Sequence, residues 1–155
     1  MFELASKHIG IMQGYIKSSS SEPLISYLVA HSLVIIYADL EQEIKQAVTD
    51  RCKKIEDTFG NKFVVKAVNR RVQSIKFSDL SGLLNDFDKS YKAKFGKMFP
   101  ENGQTRTYYG NVITNHHSVA HGYSFNATWM DVNEWWPEAC TVVRAFCDIL
   151  GTDIE

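Results

Sequence analysis

The sequence contains few cysteines, and no two of them have the spacing of a redox or zinc-binding pair. Cys52, Cys140 and Cys147 make an odd number, and the chain has no Cys-x-x-Cys motif. This usage argues against a disulfide scaffold and fits a reducing compartment. Because Cys140 and Cys147 are seven residues apart, they fall on one helical face and are predicted to be buried.

Signals for export or membrane insertion are also missing. The N-terminal residues Met1–Leu4 have neither the basic nor the apolar segment of a secretory signal. The most apolar run, residues 24–40, is interrupted by polar side chains such as His31 and Asp39. We therefore predict a buried helix there instead of a membrane span, and a cytoplasmic protein.

Length and charge limit the class of protein further. A chain of 155 residues has the size of one domain, so residues 1–155 are predicted to share one core. The net charge of −1 does not indicate a nucleic-acid-binding protein, but residues 51–76 form a basic stretch opposed only by Glu56 and Asp57. This stretch is either a phosphate-binding surface or an ordinary solvated face. Its candidate RNA-binding residues are Arg51, Lys53, Lys54, Lys66, Arg70 and Arg71.

The apolar residues repeat with a helical period through the first third of the chain. A first helix is predicted from Phe2 to about Lys17, and a second one begins near residues 18–23 and extends as far as Ile55. The predicted inward face of the first helix consists of Leu4, His8, Ile11 and Tyr15. That of the second consists of Leu24, Leu28, His31, Ile35, Leu40, Ile44 and Val48.

Helical patterns continue to the end of the chain. Residues 61–76 are ambiguous between short strands and helix, and we favour helix. One helix is predicted from a Ser78 cap through Tyr91, and another from about Thr105 to His121 with Tyr109, Val112, Ile113 and Ala120 inward. The last helix is predicted after a capping box at 131–134, delayed or kinked by Pro137. The predicted fold is an all-α bundle of four or five helices.

Three of the five histidines lie within the segment Asn115–Gly122. Imidazole has an ordinary pKa of roughly 6.5, so a histidine cluster suits proton transfer or phosphate contact near neutral pH. His117 and His121 are four residues apart and share one face of an ideal helix, which is also the spacing of a metal-ligand pair. Histidines near a helix C-terminus also simply complement the helix dipole. The sequence leaves these alternatives open.

This segment resembles the closing motif of the HEPN superfamily (higher eukaryotes and prokaryotes nucleotide-binding), particularly its small bacterial members in RNA-targeting defence systems. That motif reads as an apolar pair followed by Arg-Asn-x-apolar-Ala-His-Gly. Here the apolar pair is Val112–Ile113 and the ending is Val119–Gly122, with matching spacing. The segment Tyr37–Ile44 is similar to the family's alanine-x-Leu-Glu stripe.

The resemblance implies a HEPN-like helical homodimer in which paired motifs form one composite cleft. Many members of the family cut RNA there without a metal or other cofactor, as toxins or anti-phage defence proteins. His121 takes the position of the histidine that assists proton transfer. Asn115 and Glu41 are supporting candidates, although Glu41 also suits a helical ion pair with Lys45. An antitoxin or another defence-system protein is an implied partner.

The sequence departs from the family motif at its arginine. His116 occupies that position and His117 the polar position after it. An imidazole lacks the permanently charged fork of a guanidinium, so we expect weakened or abolished activity. Three explanations are then open. The chain is a natural nuclease that uses a histidine pair, a family member that has lost catalysis and is retained for binding, or an inactivated form of a toxic enzyme. Tyr123 resembles the tyrosine that partner nucleotidyltransferases modify in HEPN toxins, or it is a packing residue.

Two other classes of function stay open. A metal-dependent hydrolase would combine His117 and His121 with a carboxylate such as Asp131, although the chain has no His-Glu-x-x-His motif. A non-catalytic RNA-binding or partner-binding module needs only the bundle and the basic stretch. It predicts salt-sensitive binding without cleavage.

Overall fold

The chain folds into α-helices throughout the part that the structure describes. The structure is a computed structural model, and it describes residues 1–18, 21–54, 58–72 and 74–151. Within these ranges seven helices and no strand occur, which confirms the all-α prediction and corrects the predicted number of four or five. They are α1 (Glu3–Ser18), α2 (Glu22–Lys53), α3 (Thr58–Arg71), α4 (Phe77–Phe87), α5 (Lys89–Met98), α6 (Gln104–Ala120) and α7 (Trp129–Leu150).

The long helix α2 is the centre of the bundle. It contacts α1, α3, α6 and α7 and buries Leu33, Ile36, Leu40 and Ile44 completely. Each such side chain contributes roughly 1.5–3 kcal/mol relative to an exposed position. The predicted inward face is therefore correct over Leu40, Ile44 and Val48. It is wrong at the N-terminal end, where Leu24 and His31 are exposed. The predicted limit, Ile55, lies outside the described residues.

Helix α1 presents a different face to the core from the one predicted. Phe2, Ala5, Ile9 and Met12 are buried, whereas Leu4, Ile11 and Tyr15 are exposed. The backbone N–H of Phe2 donates to Glu43 Oε1 at 3.0 Å, and that of Ala5 donates to Asp39 Oδ2 at 2.8 Å. These bonds to α2 satisfy N–H groups that the first turn of a helix leaves free. They determine how α1 is rotated about its axis, which its own apolar pattern does not.

The predicted helix from Ser78 through Tyr91 is divided into α4 and α5 at Asp88. Asp88 has an extended backbone with φ −160° and ψ 137°, and its carboxylate accepts the N–H of Ser90 at 2.6 Å. An aspartate that bonds a nearby backbone N–H competes with the helix and favours a cap. Ser78 is not a cap either, because α4 already begins at Phe77.

The ambiguous residues 61–76 are helical only as far as Arg71. Gln73 lies outside the described residues, and 74–76 form an extended connection to α4. This connection is attached to α6, because the hydroxyl of Tyr109 donates to the carbonyl of Ile75 and both residues are buried. The bond brings the connection alongside α6, where the histidine segment is located.

Helix α7 begins earlier than predicted and continues through Pro137. Its capping box consists of Thr128 and Asp131, three residues before the predicted one. A proline inside a helix costs about 3 kcal/mol. The core contacts on both sides of it, including Trp135 and Cys140, outweigh that cost. Cys140 and Cys147 are both buried, as predicted.

Helix α2 is also long and apolar enough, by length and composition, to cross a membrane. The core helix of a soluble protein passes the same test. With its middle buried against α6 and α7, α2 is compatible with a soluble protein.

The C-terminus of α6 closes with a Schellman motif. The N–H of Gly122 donates to the carbonyl of Val119 at 3.2 Å, and the N–H of Tyr123 donates to that of Ser118 at 2.8 Å. The motif needs a left-handed residue after the cap, and Gly122 supplies it with φ +69°. His121 is the cap itself, so its position is determined by a hydrogen-bonded turn.

Alanine substitutions at two glycines should therefore have opposite effects on stability. Gly122→Ala meets no atom within 4 Å but forces a Cβ into the left-handed region, so we expect a loss of about 1 kcal/mol. Gly96→Ala, within α5 and equally uncrowded, should add about 0.5–1 kcal/mol. Urea denaturation monitored by circular dichroism measures both. Equal effects of the two substitutions would contradict the role assigned to the Gly122 backbone.

Candidate active site

A cleft of about 520 Å³ lies between α2, the connection 74–76 and the C-terminal half of α6. His116 and His117 line it from α6, Tyr37 from α2, and Ser74 and Lys76 from the connection. The anchoring of Ile75 by Tyr109 forms this cleft, because it holds the connection against α6. Two of the three predicted histidines thus share a concave surface with a lysine.

His116 is stacked on Tyr37. The ring centroids are 3.7 Å apart and the planes differ by 11°. Burial lowers the pKa of His116, and the neighbouring His117 and His121 lower it further, while Glu41 opposes them. At neutral pH the neutral form is therefore favoured. His116 consequently does not replace the permanent charge of the motif arginine.

His117 and His121 form a pair on the outer side of α6. Their ring centroids are 4.2 Å apart, and both side chains are exposed. The predicted common face is confirmed. Imidazoles can act as proton acceptors and as proton donors, so the pair contains both groups that an acid–base step needs. Their exposure leaves the pair accessible to a large substrate.

The supporting candidates have different surroundings. Tyr123 is 66% exposed, and its ring lies 6.1 Å from that of His121. Asn115 is engaged within its own helix, because its side-chain amide donates to the carbonyl of Asn111 at 2.9 Å. Glu41 forms the i, i+4 ion pair with Lys45 at 3.1 Å that its sequence position also suggested. The negative charge of Glu41 still acts to raise the pKa of His116, against the lowering effect of burial.

Lys76 is a cation in the cleft that our site prediction did not include. It is exposed and caps α4, with its backbone N–H 3.4 Å from Ser74 Oγ. The sequence placed it at the end of a basic stretch, but only the attachment of Ile75 to Tyr109 brings it beside the histidines. Its ammonium is a compact charge suited to a phosphate.

The predicted RNA-binding residues are divided between two places. Lys66, Arg70 and Arg71 line a cavity of about 840 Å³ between α2, α3 and α4. At the end of α2, Lys53 pairs with Asp50 at 2.9 Å, and Lys54 donates to the carbonyl of Gly151 at 3.2 Å.

A smaller cavity lies between the α3 cations and the histidine cleft. It shares Arg71 with the large cavity and Ser74 with the cleft, and Asp79 also lines it. The cavity at the α3 cations and the histidine cleft are therefore close neighbours.

Carboxylates do not complete a ligand set around the histidines. The carboxylate of Asp131 accepts the N–H of Thr128 at 2.8 Å and its hydroxyl at 2.7 Å. Across the residues with described positions, no group of three or more histidine, cysteine or acidic side chains has a metal-binding arrangement.

Comparisons with protein-family models, curated proteins and solved structures found no match to this chain.

The pKa of His116 should respond in opposite directions to its two neighbours on α2. The ordinary pKa of histidine is 6.5, and the pKa of His116 in the folded protein is lower. The unfolded chain therefore takes up the proton at a higher pH than the folded protein does. The stability that His116 contributes is present above pH 6.5 and is lost as the pH falls through the lowered pKa. Tyr37→Ala exposes the ring and should raise the pKa towards 6.5. Glu41→Gln removes a negative charge and should lower it further.

Imidazole proton resonances followed by NMR between pH 4 and 8 measure this response. Tyr27→Ala is the matched control, because Tyr27 lies on the same helix but is 77% exposed. A pKa of His116 that does not change in Tyr37→Ala would contradict the burial argument.

Proposed function

We propose that this protein is a cytoplasmic, HEPN-like endoribonuclease that cleaves RNA by proton transfer without a metal, and that its activity is weak. The observation that carries the proposal is the exposed His117–His121 pair beside a cleft containing Lys76. The HEPN-like sequence motif ending at Gly122 supports the same assignment.

The proposed reaction is attack of a ribose 2′-hydroxyl on the adjacent phosphate. His121 removes the hydroxyl proton, and the 2′-oxygen forms a bond to phosphorus. The bond to the 5′-oxygen breaks, and that oxygen takes a proton from a second imidazole, which we assign to His117. The products are a 2′,3′-cyclic phosphate and a free 5′-hydroxyl. A positioned acid and base each contribute typically 10²–10⁴-fold.

The weakness of the activity follows from the state of His116. A transition state with growing negative charge on phosphate needs a fixed cation close to it. Burial favours neutral His116, so Lys76 is the remaining cation within the cleft among the described lining residues. A flexible ammonium provides one point charge, whereas an arginine at position 116 would bind two phosphate oxygens.

A second copy of the chain is the partner we propose for the exposed side of α2. Leu24, Tyr27 and Val34 are exposed apolar residues at helical spacing, and the next turn carries Tyr37 at the cleft. A homodimer that covered this stripe would bring two histidine segments together into the composite cleft of the proposal. Sedimentation equilibrium at micromolar concentration tests this, and a strict monomer would exclude a composite cleft.

RNA cleavage in the presence of a chelator should depend on His121 and improve with an arginine at position 116. We expect slow cleavage by the natural chain and a loss of about 10²-fold or more in His121→Ala. His116→Arg should increase the rate on the order of tenfold to hundredfold, because it restores a fixed cation. Gel analysis of a labelled RNA, with detection of the cyclic phosphate, measures all three.

Lys92→Gln is the control for this assay, since Lys92 is exposed on α5 and lies outside both the cleft and the proposed dimer stripe of α2. Its rate should equal that of the natural chain. Activity that the chelator removes, or that survives in His121→Ala, would refute the proposed mechanism.

A non-catalytic RNA-binding module is the second candidate, and the lowered pKa of His116 favours it. The cations Lys66 and Arg70 at the large cavity and Lys76 in the neighbouring cleft have the charge to bind a phosphate backbone. In this case RNA binding without cleavage is expected for all variants.

Both candidate functions predict salt-sensitive RNA binding at the α3 cations. Lys66→Gln and Arg70→Gln should each weaken binding and reduce the slope of log affinity against log salt by about 0.7 for a single strand. Fluorescence anisotropy between 50 and 200 mM salt measures this, with Lys92→Gln on α5 as a control of equal charge change. An unchanged slope in the α3 variants would mean that the RNA backbone does not contact this helix.

A further inference from the structure

We propose that the 840 Å³ cavity between α2, α3 and α4 is a binding site for a single-headed amphipathic anion of the fatty-acid class. The hydrocarbon chain would occupy the apolar interior, and the carboxylate would lie at the cations of α3. This site is separate from the histidine pair, and its occupation does not depend on ribonuclease activity.

The interior of the cavity is apolar on all three helices. Val48 and Cys52 reach it from α2, Val68 from α3 and Leu83 from α4, and each is at most 9% exposed. The volume falls within the range of about 300–1,000 Å³ that is usual for small-molecule sites. A hydrocarbon chain would bury surface here without leaving polar groups unsatisfied.

Two aromatic side chains at the cavity remain incompletely buried. Phe63 of α3 is 74% exposed and Phe87 of α4 is 37% exposed, although both line the cavity. Large exposed apolar groups next to a concave apolar surface are typical of a ligand or partner site. An aliphatic ligand in contact with both rings would remove this surface from water.

The charges at the cavity are arranged for one anionic group. Lys66, Arg70 and Arg71 all belong to α3 and therefore form one wall. Arg71 is paired with Asp86 of α4 at 3.1 Å, so Lys66 and Arg70 are the cations of this wall that a ligand would meet. An acidic peptide helix would meet this carboxylate on α4, whereas a ligand with one carboxylate contacts only the cationic wall. The one-sided charge therefore favours a single head group.

A nucleobase fits the interior less well than a hydrocarbon does. Among the described residues deep in the cavity, the thiol of Cys52 is the only polar side-chain group. Burial raises the pKa of that thiol, which keeps it a weak donor. The edges of a base would lose their hydrogen bonds to water without replacement.

Titration calorimetry with octanoate, decanoate and dodecanoate tests the proposal on the whole chain without RNA, because RNA would compete for the same cations. Each two-carbon extension should strengthen binding about 15-fold until the cavity is filled. Decanol should bind less tightly than decanoate, because it has no charge for the α3 wall. Lys66→Gln and Arg70→Gln should each weaken decanoate binding about two- to fivefold.

Ala67→Trp blocks the cavity from an exposed position of α3, so it should fold normally by circular dichroism and lose decanoate binding at least tenfold. Lys92→Gln repeats the charge change elsewhere and should bind as the natural chain does. Absence of decanoate binding would overturn the proposal, as would equal affinity for decanol or undiminished binding by folded Ala67→Trp. Because decanoate binding is measured without RNA, these outcomes do not depend on whether the protein is a ribonuclease.

Discussion

The packing of α2 against its neighbours is the constraint on which the rest of the structure depends. Its buried face, centred on Leu40, is in contact with both α6 and α7, and α2 also contacts α1 and α3. Because a helix of this length is rigid, residues several turns apart keep a fixed relation. The middle of α2 places Tyr37 in the histidine cleft and Glu41 where its charge acts on His116, and the last turns of α2 place Val48 and Cys52 in the apolar cavity.

The three histidines of the segment have different environments, although all of them lie at the C-terminal end of α6. His116 is half-buried and stacked on Tyr37, and this burial lowers its pKa. One residue further along, His117 points outward towards His121, which the Schellman turn holds at the cap. Adjacent side chains on a helix diverge by about 100°, so a buried and an exposed imidazole follow directly from their consecutive positions.

The cations of α3 relate the two proposals to each other. They line the large apolar cavity, and a smaller cavity that shares Arg71 with it and Ser74 with the histidine cleft lies between the two sites. An anion in the apolar cavity would use charges that an RNA backbone also needs. The same wall of α3 would therefore serve the two ligands in turn, since one set of cations cannot neutralise both at once.

The sequence by itself determined the helical class, the extent of α6 and the common face of His117 and His121, because these depend on local periodicity and on a glycine stop signal. It did not determine which face of α1 is buried or that Lys76 lies beside His116. Those outcomes depend on bonds between distant residues, such as Ala5 to Asp39 and Tyr109 to Ile75. Local patterns contain no information about such partners, so only the tertiary structure decided them.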